Sequence, residues 1–192
     1  AIAAGNCCIL KPSAYAPAVS ALIRELIEAS FPPEYVAVVE GGREENAALL
    51  EQRFDYIFFT GGVEVGKLVL EKASRSLTPV TLELGGKSPC IIDGTADLKT
   101  AAKRLAFGKF LNAGQTCVAP DYLLIQEDVK EQFLELFEKA VRSMYGEKPL
   151  ENPDYPRIVN ERHFERISGL FDGKKILMGG ERNRERLQIA PT

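Results

Sequence analysis

Asp55-Tyr56-Ile57-Phe58-Phe59-Thr60-Gly61-Gly62-Val63-Glu64-Val65-Gly66-Lys67 packs an apolar run, a glycine-rich turn and the start of a helical pattern into one short stretch. Residues 55–60 read as a strand, 61–66 as a turn and 67–73 as a helix. Toward the amino terminus the same alternation recurs. Residues 7–11 form a short apolar run closed by Lys11-Pro12-Ser13, where proline biases the preceding residue toward extended geometry. In residues 16–29 Val19, Leu22, Ile23, Leu26 and Ile27 recur at spacings of three and four, and Phe31-Pro32-Pro33 stops the helix. Residues 35–39 are a second strand ended by Gly41-Gly42, and 44–52 a short helix. Strand and helix alternating in this way is the pattern of a doubly wound parallel α/β sheet.

Toward the carboxyl terminus the pattern changes after Leu77-Thr78-Pro79. Residues 80–84 and 90–92 read as strands, 98–111 as a helix and 122–126 as a strand. Residues 129–144 are the longest amphipathic helix, with Phe133, Leu136, Phe137, Ala140 and Val141 on a core-facing stripe. A polar connection over 149–156 leads to a helix at 164–171 and a strand at 174–178 ended by Gly179-Gly180. The change near Leu82 predicts two domains, 1–82 and 83–192. The chain starts at Ala1 without methionine and ends at Thr192 just as an extended segment closes, so an internal piece of a longer protein is expected.

Composition narrows the function classes. At 192 residues, 45% apolar and 27% charged, the chain has the make-up of a globular protein able to bury a core. A net charge of −3 provides no basic footprint for nucleic acid. No apolar run reaches the roughly 18 residues a membrane helix needs, so no membrane contact is expected in this segment. Four cysteines without regular spacing, Cys7 and Cys8 adjacent, suit neither a disulfide framework nor a metal site. The lone His163 has no partner residues spaced for metal binding, so no metal is expected, and cysteines outside any disulfide framework read as a reduced, cytoplasmic protein. Cys7, Cys8 and Cys90 fall in or near strands, where burial is the ordinary state.

Three features carry chemistry. Gly61-Gly62-Val63-Glu64-Val65-Gly66 between strand and helix offers backbone N–H groups and a positive dipole end to a phosphate. It departs from the dinucleotide fingerprint, which wants glycine at the third position, where this chain has Val63, and an ordinary tight turn is the alternative. Lys11, just past a strand's carboxyl end, can reach a ribose hydroxyl or phosphate; otherwise it is a solvated lysine. The third feature pairs Glu83, in Leu82-Glu83-Leu84-Gly85-Gly86-Lys87-Ser88-Pro89, with Cys117, in Asn112-Ala113-Gly114-Gln115-Thr116-Cys117. A thiol with an ordinary pKa near 8.5 attacks carbonyls near neutral pH far better than a hydroxyl. Small neighbours leave backbone N–H groups free for a developing oxyanion. Glu83 within reach of a water or of the thiol is a candidate base.

These residues carry a resemblance. Lys11-Pro12-Ser13, Thr60-Gly61 with Val65-Gly66-Lys67, the Glu83 motif and Gly114-Gln115-Thr116-Cys117 stand in the order and spacing of the NAD(P)-dependent aldehyde dehydrogenases. Gly108-Lys109-Phe110 and Val118-Ala119-Pro120-Asp121-Tyr122 look most like the class 3 branch, which includes fatty and aromatic aldehyde enzymes. The resemblance covers essentially the whole chain, but less than half of such an enzyme. It implies the carboxyl-terminal portion of a Rossmann-like cofactor domain followed by the first part of an α/β catalytic domain.

The resemblance also implies roles. Cys117 would attack the aldehyde to give a thiohemiacetal and then a thioester, and Glu83 would activate the hydrolytic water. Lys11 would contact the adenosine ribose, with Ser13 beside it. Gly61, Gly62, Val63, Glu64, Val65 and Gly66 would line the pyrophosphate and adenine, with Leu84 also on the cofactor side. The expected cofactor is NAD or NADP, the substrate a small aldehyde, and the full-length protein a homo-oligomer. Many family members place glutamate after Lys-Pro-Ser, where this chain has Ala14; losing that carboxylate predicts tolerance of NADP. Gly62 stands where the family usually has serine, removing one phosphate hydrogen bond. The isolated 192 residues are expected to be inactive. A noncatalytic scaffold and a cysteine-dependent ester or acyl hydrolase are the alternatives from other classes.

Overall fold

Three strand–helix–strand crossovers follow one another in the computed structural model, which describes residues 1–192 and divides into two units, Ala1–Leu84 and Gly85–Thr192. Two strands that pair in parallel cannot be joined by a tight turn, so each pair is bridged by a helix.

In the first unit β1 (Cys8–Leu10) pairs in parallel with β2 (Val36–Val38), Cys8 opposite Val36, across α1 (Pro17–Ser30). Pro17 begins the helix, where its missing N–H would have no partner anyway. The Phe31 N–H still reaches the Ile27 carbonyl at 2.9 Å, and Pro32 prevents continuation. After α2 (Arg43–Leu50), β3 (Ile57–Thr60) pairs in parallel with β4 (Val80–Glu83) across α3 (Val63–Ser74). Ile57 lies opposite Val80 and Thr60 opposite Glu83. Gly66, Val69 and Ala73, spaced by three and four, are the buried residues of α3.

The second unit holds β5 (Ser88–Ile92), parallel to β6 (Pro120–Ile125), with Ile92 opposite Ile125. α4 (Leu98–Phe110) crosses between them, its N-cap Asp97 accepting the Thr100 N–H at 3.1 Å. α5 (Glu127–Tyr145) packs against α4, and Phe133 on it is fully buried with Ile92, Ala102 and Leu105, stacked 6.0 Å from Phe137. α6 (Glu161–Ser168), capped by Asn160 at the His163 N–H, packs Phe164 against Ile158 and Ile189. Ile189 belongs to the hairpin of β7 (Arg182–Asn183) and β8 (Gln188–Ile189).

The α/β class with parallel strands is as expected, and the strands occur as hydrogen-bonded pairs rather than as one continuous sheet. Four local readings change. The turn expected over 61–66 is only Gly61 and Gly62, because Gly62 serves as an extended N-cap (φ −77°, ψ 154°) and Val63 already begins α3. Residues 174–178 are not a strand: Asp172 accepts the Lys174 N–H and closes a 3₁₀ turn over Gly173–Lys175, and the extended pairing falls in β7 and β8. Cys7 is exposed and precedes β1, while Cys8 and Cys90 are only half-buried. On α1 the stripe includes exposed Val19, Leu22 and Leu26, and the one buried residue is Ser20, whose hydroxyl donates to the Ser13 carbonyl at 2.8 Å.

Tyr155 ties the hairpin to the body of the second unit. Its buried hydroxyl donates to the Ile189 carbonyl at 2.8 Å, and Gln188 Nε2 donates to the Tyr155 carbonyl at 2.9 Å. Burial, and secondarily the neighbouring Tyr145, push the Tyr155 phenol far above its ordinary value. The folded value exceeds the unfolded value of about 10, so this contribution is complete below about pH 10 and is lost as pH rises toward the folded value. Denaturant midpoints measured across pH 8–12 are therefore expected to fall from about pH 10 upward. Tyr155→Phe should flatten that fall to what Tyr145 and Cys90, both also raised by burial, leave, at a cost of about 1–3 kcal/mol at neutral pH for the unpaired carbonyl.

Candidate active site

At the carboxyl end of β3 the backbone leaves the strand, turns at Gly61-Gly62 and enters α3. The Gly61 N–H donates to the Glu83 carbonyl at 2.9 Å, so the turn is pinned to the end of β4. A Cβ on Gly61 would lie 2.4 Å from the Phe59 ring, whereas one on Gly62 would meet nothing within 4 Å. No side chain caps α3, so the backbone donors of its first turn have no side-chain partner. Glu64 in that turn is paired with Lys67 at 3.1 Å, which offsets its charge. Gly66 is buried against Leu84: a Cβ there would come within 2.6 Å of the Leu84 side chain.

Lys11 and Ser13 follow β1. Lys11 Nζ donates to the Pro12 carbonyl at 2.7 Å, and Ser13 Oγ accepts the Tyr15 N–H at 3.2 Å. Glu45 lies in the field of Lys11. Hydrogen bonds from its own N–H and the Gly42 N–H, then the Lys11 charge, hold its carboxyl below the usual carboxylate range. Glu40, just past the far end of β2, pairs with Arg24 at 2.9 Å.

Cys117 is exposed on a loop between α4 and β6. The loop starts with a 3₁₀ turn, Leu111–Gly114, in which Asn112 (φ 56°), Ala113 (φ 53°) and Gly114 (φ 78°) are consecutively left-handed. Such geometry costs about 1–2 kcal/mol for each non-glycine residue. A Cβ on Gly114 would also press the Lys109 carbonyl at 3.3 Å. The Ala119 N–H then closes onto the Thr116 carbonyl at 3.1 Å, presenting the cysteine at the tip of a turn. Gly86, just ahead of β5, lies against this turn: an added Cβ would stand 2.9 Å from the Cys117 carbonyl oxygen. Lys87 pairs with Asp121 across the adjacent strand starts, and that hydrogen bond, with the Lys87 charge, lowers the Asp121 carboxyl.

The predicted site residues thus fall into local groups. Gly61, Gly62 and Glu83 join through the turn, Gly66 joins Leu84, and Val63, Glu64 and Val65 form the first turn of α3 rather than a loop. Glu83 is exposed at the end of β4 in the first unit, and Cys117 belongs to the second. Two features were not foreseen: the close approach of Gly86 to the Cys117 backbone, and the anchoring of Gln115 to residues 157–159. The second glycine of the Gly85-Gly86 pair was a signal for the first. Nothing local announces the second, because its partners lie more than forty residues downstream.

Residues 1–192 match the model of the aldehyde dehydrogenase family. A 4,4'-diaponeurosporen-aldehyde dehydrogenase of Staphylococcus aureus is 48% identical over 194 residues, covering 100% of this chain and 42% of that protein. Aldehyde dehydrogenase family 3 member A2 of Rattus norvegicus is 47% identical, covering 100% of this chain and 40% of its own. The "dimeric NADP-preferring" aldehyde dehydrogenase of the same species is also 47% identical, with 42% of its length covered. Among solved structures, the substrate-bound Staphylococcus aureus AldH superposes with a TM-score of 0.90 at 47% identity, over 99% of this chain and 42% of that one. PnpE in complex with nicotinamide adenine dinucleotide superposes with a TM-score of 0.86 at 29% identity, over 99% and 42%. The chain therefore spans about two fifths of the length of the relatives it matches.

The contact at Gly86 leads to a direct expectation. Gly86→Ala must displace the Cys117 backbone, since the obstructing atom is a carbonyl oxygen rather than a flexible side chain. Amide hydrogen exchange at Ala119, whose N–H closes the turn onto the Thr116 carbonyl, is expected to speed by about fivefold or more in Gly86→Ala, the loss of about one hydrogen bond of about 1 kcal/mol.

Proposed function

The chain belongs to the aldehyde dehydrogenase family, and on that premise we propose that it is the part of a longer enzyme that supplies the nucleophile and the general base for oxidising an aldehyde to a carboxylic acid with NAD or NADP. The observation that carries the reading is Cys117, exposed at the tip of a strained loop in a chain matched to that family from end to end.

The first unit suits a dinucleotide. The uncapped start of α3, open space at Gly62 and the Gly66–Leu84 packing allow a pyrophosphate to approach the helix. Gly61, Gly62, Val63, Glu64, Val65 and Gly66 would hold that end, with Lys11 and Ser13 on the ribose side and Leu84 behind the helix. A bound nicotinamide supplies the hydride acceptor for the oxidation. Cys117 Sγ bonds the aldehyde carbon and retains it, first as a thiohemiacetal and after oxidation as a thioester. A thioester keeps its reactivity toward water, which is the advantage of sulfur over oxygen here. Glu83 takes a proton from the water that adds to the thioester carbon, the carbon–sulfur bond breaks, and the acid leaves.

The relatives at 45–48% identity include two named as family 3 members and a diaponeurosporen-aldehyde dehydrogenase, and the last of these favours an apolar aldehyde as substrate. The relative named as dimeric supports a homo-oligomer for the longer protein. No helix here is long and apolar enough to cross a membrane. Cytoplasmic placement stays part of the proposal.

In the full-length enzyme, Cys117→Ser is expected to lower aldehyde-dependent NADH formation by about 10³-fold or more. Glu83→Gln should keep a first-turnover burst of NADH while slowing the steady state, with a mass increase on Cys117 that hydroxylamine removes. A Glu83→Gln enzyme with parental steady-state turnover would refute the base assignment. Because Ala14 presents no carboxylate to a 2′-phosphate, the KM for NADP should exceed that for NAD by less than about a hundredfold, or about 2.7 kcal/mol.

A further inference from the structure

We propose that Gln115 is a positioning residue that holds the left-handed loop leading to Cys117 in place by clamping it to the backbone of residues 157–159. The role rests on reading Cys117 as the nucleophile.

The Gln115 carboxamide is used completely. Its Oε1 accepts the Val159 N–H at 2.9 Å, and its Nε2 donates to the Arg157 carbonyl at 3.1 Å and the Asn112 carbonyl at 3.0 Å. Bonding one residue's carbonyl and the N–H two residues on is the pattern by which a neighbouring strand reads a backbone, and here one side chain performs it. Within the turn, Asn112 Nδ2 returns a bond to the Gln115 carbonyl at 3.3 Å and the Gln115 N–H donates to the Asn112 carbonyl at 3.1 Å. The left-handed residues Asn112, Ala113 and Gly114 are thus tied off by Gln115 immediately before Thr116 and Cys117.

The 157–159 segment is itself fixed from the other side. Between the two backbone groups that face Gln115, the Ile158 N–H donates to the Leu187 carbonyl at 2.7 Å. Ile158 is buried with Phe164 and Ile189, and Ala113 packs against that same cluster. The turn is therefore seated twice on one support, by the Ala113 methyl and by the Gln115 amide. Asparagine is too short for this reach, and glutamate above its pKa has no donor for Arg157 and Asn112. A clamp of this kind governs where the sulfur points, and misplacement on the ångström scale is costly to a covalent step.

The test uses the full-length protein with Gln115→Met, which preserves bulk and removes the hydrogen bonds, and Gln115→Glu, which keeps the Val159 acceptor. Iodoacetamide labelling at pH 7.5, which follows the thiol's access and thiolate fraction, is expected to change at Cys117 by about threefold or more in both variants, while Cys7 stays within about twofold of its parent rate. For Gln115→Glu, the Cys117 rate relative to the parent at the same pH should recover as pH falls below about 4.3, where the acid is mostly protonated and regains a donor. Amide hydrogen exchange should show Val159 losing protection in Gln115→Met with Ile158 unchanged. In steady state, kcat should fall with the KM for NAD unaltered. Should the methionine variant not fold, the glutamate variant carries the test alone through its pH dependence. Unaltered Cys117 labelling, or a Val159 amide as protected as in the parent, overturns the proposal. The labelling ratio reports on the clamp whether or not the parent oxidises aldehydes, so failure of the functional reading would show separately, as a parent with intact labelling and no NADH formation.

Discussion

Parallel register is the constraint from which the site follows. When two strands run in the same direction, the residues entering them lie side by side at one end and those leaving them at the other. Ser88 opposite Pro120 therefore brings Gly86 beside the Cys117 turn, because both segments enter their strands at the same edge. Thr60 opposite Glu83 places Gly61 beside the end of β4 in the same way, and the Gly61 N–H completes the ladder on the Glu83 carbonyl. The motif 82–89 leaves β4 and enters β5, so its residues serve both edges: Glu83 and Leu84 at the turn of the first unit, Gly86 and Lys87 at the cysteine loop of the second.

Strain in the cysteine loop is concentrated and matched. Two non-glycine residues in left-handed geometry cost about 1–2 kcal/mol each. The hydrogen bonds of Gln115 and Asn112, at about 1 kcal/mol apiece, are of the same order. Such a turn persists because its surroundings over-determine it, with buried Ile158 and Phe164 beneath Ala113. The exposed sulfur is thus held by a support that contains no reactive group.

Much of the element order could be read from residue patterns. Apolar runs bounded by glycine and proline located every strand from β1 to β6, and spacings of three and four located α1, α3, α4 and α5. Two errors came from local backbone geometry that an apolar pattern does not register. The start of α3 depends on Gly62 adopting an extended cap, and residues 174–178 lost their strand to a turn that Asp172 closes. The stripe of α1 was read correctly as helical, yet a stripe is buried only where another element lies over it, and Val19, Leu22 and Leu26 are exposed.

The residues themselves determined the chemistry on offer: a thiol among small neighbours, a carboxylate at a strand end, a glycine turn before a helix, and through their order the family. Those are properties of short stretches, set by side-chain type and backbone preference. Tertiary structure decided what cannot be local, namely that Gly86 must lack a side chain because a Cβ there would stand 2.9 Å from the Cys117 carbonyl oxygen, and that Gln115 closes on Arg157 and Val159. Contacts between distant segments depend on strand register and on which faces are buried together. No window of sequence contains both partners.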